Sequence, residues 1–269
     1  MDSATYIWRV RAAKPLVHHI TNVVTVSDCA NVTLFLGALP VMANSPREAG
    51  EMVALAQGLV MNIGTLYDEQ VEAMLIAGKR ANELGIPVVL DPVGAGATPY
   101  RTETARGLLR EVTVAVVKGN AGEVATLAGV QAEVRGVESG EVAEVVGPAR
   151  ALCESTGAVV AVTGARDVVV DLSRETWVDG GSERMRSFVG SGCVAASVIG
   201  CLVAAHRDEP YEATVAALMT CRQAAERAAA REPQGPVAFR DAVYAELAAI
   251  SAEARPADSE RAWITLQSR

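Results

Sequence analysis

Short apolar runs rich in valine alternate along this chain with longer segments of helical periodicity, each bounded by glycine, proline or small polar residues. Alternation of this kind is the pattern of an α/β protein with a mostly parallel sheet, because parallel neighbours need a helical crossover between them. It predicts strands at Leu16–Ile20, Leu39–Ala43, Leu59–Ile63, Pro87–Leu90, Val114–Val117 and Ala158–Val162. A closely spaced pair, Val168–Leu172 and Arg174–Val178, predicts an antiparallel edge hairpin. Helices are predicted at Ser27–Leu36, Ser45–Gln57, Asp68–Leu84, Thr102–Glu111, Ala121–Leu127 and Gly140–Ser155, and from Gly192 onward the chain reads as almost all helix. At 269 residues, half of them hydrophobic, the chain can bury a substantial core as one domain, 1–269, with residues 255–269 as a surface or loose tail.

A formal charge of -8 and a pI near 5.1 argue against nucleic acid or an anionic membrane surface as partner, since neither gains counterion release from an acidic protein. A small molecule is the better partner. The five cysteines are scattered and odd in number, in a chain too large to need disulfide staples, which points to reduced thiols and a cytoplasmic location. No C-x-x-C occurs, and the three histidines, His18, His19 and His206, lack zinc-ligand spacing. The first fourteen residues are charged and hold no apolar stretch of signal-peptide length, and no run approaches a membrane span.

Open parallel sheets bind ligands beyond the carboxyl ends of their strands. Those positions are rich here in glycine and polar residues: Thr21 and Asn22, Gly64 and Thr65, Asp91 to Gly96, Lys118 to Asn120, and Thr163 with Gly164. Lys118, one of three lysines, directly follows an apolar strand and fits a phosphate site. Asp91 and Glu123, at the ends of neighbouring strands, form a pair able to hold hydrated Mg²⁺ beside a triphosphate; the alternatives are a helix cap for Asp91 and a surface helix face for Glu123.

Later, Gly190, Ser191, Gly192 and Cys193 lead into a small, apolar segment, Val194 to Ala205, that predicts a buried helix. A glycine turn feeding a helix start offers free N–H groups and a partial positive charge to an anion. A thiol held there can act as base or nucleophile, where in the apolar core it would be one more small hydrophobe. The G-x-x-x-x-G-K-[ST] motif is absent, which excludes a P-loop NTPase. The run from Gly190 to Ala195 matches a loose dinucleotide fingerprint, but no ribose-binding carboxylate follows it. A Cys-His hydrolase would need His18 or His19 to reach Cys193.

Several ordered blocks resemble the hydroxyethylthiazole kinases. They are Pro15-Leu16-Val17-His18-His19-Ile20-Thr21-Asn22, Leu36 to Met42, Asn62 to Leu66, Asp91 to Ala97, Lys118 to Glu123, Val162-Thr163-Gly164 and Gly190 to Cys193, across about residues 15–250. The resemblance implies a ribokinase-like fold, a homotrimer with sites near subunit interfaces, and transfer of the ATP γ-phosphate to the primary hydroxyl of 4-methyl-5-(2-hydroxyethyl)thiazole in thiamine salvage. It also implies Met42, Gly190, Asn22 and Gly64 for the thiazole, Lys118, Thr163, Asn120 and Gly192 for ATP, Asp91 and Glu123 for magnesium, and Cys193 facing the substrate hydroxyl. Two residues depart from the family pattern. His19 replaces an asparagine, with a pocket adjustment or a subunit contact as its expected effect, and Val189 replaces a threonine before the glycine turn. Alternative readings are a sister kinase for hydroxymethylpyrimidine or pyridoxal-like alcohols, and a binding protein without turnover.

Overall fold

The computed structural model describes residues 3–129 and 142–256. Among them eight strands form one sheet, and the strand order is β2-β1-β3-β4-β5-β6-β7-β8. The strands are β1 Leu16–Ile20, β2 Leu39–Val41, β3 Gly58–Asn62, β4 Val88–Asp91, β5 Val116–Asn120, β6 Val159–Thr163, β7 Asp167–Val170 and β8 Glu175–Val178. β1 to β6 pair in parallel, and β7 and β8 add the expected antiparallel edge. The Asp171 carboxylate closes the β7–β8 turn by accepting the Ser173 and Arg174 N–H groups at 2.8 and 2.9 Å.

Alternate strand residues feed two separate cores, as the period of two requires. Val60, Val89, Val116 and Ala161 face α1 Ser3–Ala13, α2 Val26–Phe35, α8 Ser191–Ala205, α9 Pro210–Ala230 and α10 Gly235–Glu253. Leu59, Met61, Leu90, Val117 and Val160 face α3 Ala49–Leu55, α4 Asp68–Glu83, α5 Pro99–Glu111, α6 Ala121–Leu127 and α7 Val142–Thr156. α8 is the most enclosed helix: every residue from Val194 to Ala204 is buried. Its lack of a polar face is therefore a consequence of being covered on all sides.

Several boundaries differ from the sequence reading for local reasons. The second strand stops at Val41 instead of Ala43, because the Ala43 carbonyl leaves the ladder to accept the His18 Nε2–H at 2.8 Å. The helix expected from Ser45 begins at Ala49, after turns in which the Ser45 hydroxyl accepts the Arg47 N–H. α5 begins three residues before Thr102, with Thr98 capping it and Pro99 in its first turn. The N-terminal helix α1, not foreseen, buries only Ile7 and Val10, and His206 at the end of α8 is hydrogen-bonded to Tyr6 and Arg9 of α1. A short 3₁₀ turn, Glu183–Ser187, precedes the glycine turn. The tail from 257 onward lies outside the described residues.

Candidate active site

The strand order reverses between β1 and β3, and the polar residues gather at that switch point and along the neighbouring strand ends. Asn62, the last residue of β3, stands at the centre. Its amide nitrogen donates to Asp91 Oδ2 at 2.7 Å and to Cys193 Sγ at 3.3 Å. Its Oδ1 accepts the Asn22 amide and the Gly64 N–H, both at 2.9 Å. Asn22 also donates to Cys193 Sγ at 3.3 Å, and its own oxygen ties down Val24 and Thr25. The sulfur thus receives two amide donors, an arrangement that suits a group gaining negative charge.

Asp91 ends β4 and is fully buried, so it is neither a helix cap nor a surface group. Burial pushes its carboxyl up to about 6, against the pull of Lys118, with Glu123 adding to the rise. Lys118 sits inside β5, its Nζ 3.4 Å from Asp91 Oδ1. Burial works against its charge, but Asp91 and Glu123 outweigh this and hold the ammonium above its ordinary range. Each charge favours the ionised form of the other, against the cost of burial.

Glu123 is buried, not on a surface helix face. Its two carboxylate oxygens accept the Gly94 and Asn120 N–H groups, each at 2.8 Å. Asn120 returns the bond, its side chain accepting the Glu123 N–H at 2.9 Å, which makes a capping box at the start of α6.

The glycine turn closes the site from above. Gly190 has φ 102°, and a Cβ there would stand 2.6 Å from Thr25 Cγ2, so only glycine fits. A Cβ on Gly192 would meet Lys118 Nζ at 2.9 Å, which places the N-terminus of α8 directly over the ammonium. A cleft of about 390 Å³ opens beside this turn, lined by Thr163, Gly164, Ser191, Gly192, Met185 and Leu218 among others. Its outer wall is held by α9. Arg222 pairs with Asp167 at 2.7 Å and donates to the carbonyls of Gly164 and Ala165, and Glu226 accepts the Gly181 N–H.

The residues read from the sequence divide into three groups. Cys193, Asn22, Gly64, Asp91, Lys118 and Glu123 share one connected corner. Thr163 and Gly192 line the cleft, and Asn120 caps the helix between them. Met42 lies just past the end of β2, and Gly190 is the N-cap of α8. In the sequence Asn62 stands out only as part of a motif, although an asparagine at the end of a buried apolar run is itself a signal of an internal polar partner. His19 does not face a subunit neighbour. It is fully buried within the chain, between the Val17 carbonyl and Thr33 of α2, and burial lowers its pKa to about 4. His18 is bonded to Ala43, so neither histidine supplies a Cys-His pair.

Solved structures place the architecture in a class. A ribokinase-like superfamily protein from Enterococcus faecalis V583 matches with a TM-score of 0.60 over 87% of each chain at 12% identity, a likeness of fold. The chain thus has an α/β fold of the ribokinase-like class. Its particular family follows from closer relatives: residues 7–253 match the model of the hydroxyethylthiazole kinase family, and the chain belongs to that family. A hydroxyethylthiazole kinase from Methanocella arvoryzae is 54% identical over 91% of both chains. One from Methanoculleus marisnigri is 56% identical over 90% of this chain and 86% of its own. The solved structure of the Pyrococcus horikoshii OT3 protein of the same description has a TM-score of 0.83 at 41% identity, covering 91% of this chain and 92% of that one.

Proposed function

We propose that the protein transfers the γ-phosphate of ATP to the primary hydroxyl of 4-methyl-5-(2-hydroxyethyl)thiazole, the kinase step of thiamine salvage. The observation that carries this reading is the Cys193 sulfur, held by two amides beside the buried Lys118–Asp91 pair under a helix N-terminus. Phosphoryl transfer asks a protein mainly for alignment and charge neutralisation, and this corner supplies both. The hydroxyl oxygen attacks the γ-phosphorus, the bond to the β-phosphate oxygen breaks, and ADP leaves. The hydroxyl proton passes to, or is oriented by, Cys193 Sγ. N–H groups from Gly190 to Cys193 receive the γ-phosphate, while Lys118 offsets its charge. The base and ribose occupy the cleft by Thr163 and Gly164. Met42, Gly190, Asn22 and Gly64 line the acceptor side.

Asp91 and Glu123 suit Mg²⁺ by their chemistry: two buried carboxylates, hard oxygen donors of the kind magnesium takes. No group of three or more metal-binding side chains occurs among the described residues, so the ion would complete its shell with water and phosphate oxygens, as magnesium commonly does. When bound, it neutralises charge on the transferring phosphates. We also infer a homotrimer with its sites near subunit boundaries, supported by the exposed apolar residues Val23, Val24 and Val189 near the Asn22 and Gly190 segments. Among the described residues no helix is long and apolar enough to cross a membrane. Composition favours the cytoplasm.

The test is a panel of alcohols, thiazole, hydroxymethylpyrimidine and pyridoxal, each with ATP and Mg²⁺. Thiazole phosphate as the dominant product supports the reading. Preference for another alcohol makes the protein a sister kinase, and tight thiazole binding without ATP consumption makes it a binding protein.

A further inference from the structure

Arg101 lies in the first turn of α5, where a positive charge opposes the helix dipole, so helix stability does not account for it. Among the described residues it has no carboxylate partner within ion-pair distance. Its guanidinium is instead committed to three backbone carbonyls. Nη1 donates to Ile63 and Val93, both at 2.8 Å, and Nη2 to Gly64 at 2.9 Å. These carbonyls belong to two loops, one following β3 and the other following β4.

Each loop is also joined to the site through a neighbouring N–H. Gly64, whose carbonyl Arg101 holds, gives its N–H to Asn62 Oδ1. Gly94, directly after Val93, gives its N–H to Glu123 Oε1. The arginine stem packs against Gly94 as well: a Cβ there would stand 3.0 Å from Arg101 Cδ. One planar fork thus ties the loop of the acceptor pocket to the loop of the metal carboxylates, from behind both. Lysine can reach one or two of these oxygens but cannot span all three in a plane.

We propose that Arg101 is a positioning residue that sets the distance between the bound alcohol and the Asp91–Glu123 corner. The inference rests on the kinase reading above. Its role is alignment, so its loss should appear chiefly in the acceptor terms and much less in nucleotide binding.

The experiment compares parent, Arg101→Lys and Arg101→Ala on whichever panel alcohol the parent phosphorylates best. Acceptor KM and kcat are measured at saturating MgATP, the MgATP Kd by calorimetry without acceptor, and Tm in parallel. For Arg101→Lys, acceptor KM should rise and kcat fall by about tenfold each, with MgATP Kd within about threefold of the parent. Methylguanidine should restore part of the lost kcat in Arg101→Ala. If that variant does not fold, the lysine variant decides. Unchanged acceptor KM and kcat in a folded lysine variant, equal damage to acceptor and MgATP binding, or a loss that merely follows the folded fraction would overturn the inference. Failure of the parent to phosphorylate any alcohol would sink the functional reading and this inference with it.

Discussion

Two amides and a sulfur decide how far this corner depends on single atoms. In the proposed reaction Cys193 accepts or orients the hydroxyl proton, and a positioned base usually contributes about 10² to 10⁴ in rate. Cys193→Ala should therefore fall by that order in kcat yet keep measurable turnover at saturating ATP, and full retention would remove the thiol from the mechanism. Asn62 carries a different expectation. All four of its hydrogen-bonding positions are filled, and Asn62→Leu would strip Asp91 and Cys193 of a donor each while nearly keeping the volume. Hydrogen bonds to charged groups are worth about 1.5–3 kcal/mol, so a kcat loss of roughly 10- to 100-fold is expected. A variant within threefold of the parent would show that the network is scaffolding only. The sequence displayed Asp91, Lys118 and Cys193 plainly, because a charged or reactive side chain after an apolar strand stands out. It hid Asn62 and Arg101, whose importance lies in whom they touch.

Among the elements, β1 shows what strand parity does to a residue that departs from a family pattern. Val17 and His19 face the α2 and α8 layer, so the imidazole of His19 is sealed between Val17 and Thr33. A buried neutral histidine binds fewer protons than its unfolded counterpart. Its folded pKa of about 4 lies below the ordinary 6.5, so stability is full above 6.5 and is lost as pH falls toward 4. About 2 kcal/mol should disappear between pH 7 and pH 5 through this group. Urea unfolding of His19→Leu should show a flatter pH profile than the parent; identical slopes would mean that His19 opens to water at low cost. Element positions were legible where periodicity was strong, as at β1, β8, α4 and α6. They were lost where long-range contacts decide. α1 buries two residues and is fastened by His206, nearly 200 positions away, so no local pattern could announce it.

For the whole molecule, the parallel sheet with its antiparallel edge was readable from the alternation of strand and helix, and with it the strand ends where the candidate residues gather. How the loops tie to one another was not, because it rests on side chains such as Arg101 and Arg222 that reach across sequence. The sheet also divides the interior into two cores, with Leu202 of α8 in one and Leu152 of α7 in the other. Substitutions far apart and without shared partners add to within about 0.3–0.5 kcal/mol. A thermodynamic cycle of Leu202→Ala and Leu152→Ala should therefore close within that margin, and a larger coupling energy would mean that the strands transmit strain from face to face. If it closes, the chain tolerates change as two ledgers kept apart: the α3 to α7 face can be rebuilt for heat resistance, one apolar residue at a time, without repacking α8, whose first turn stands over Lys118.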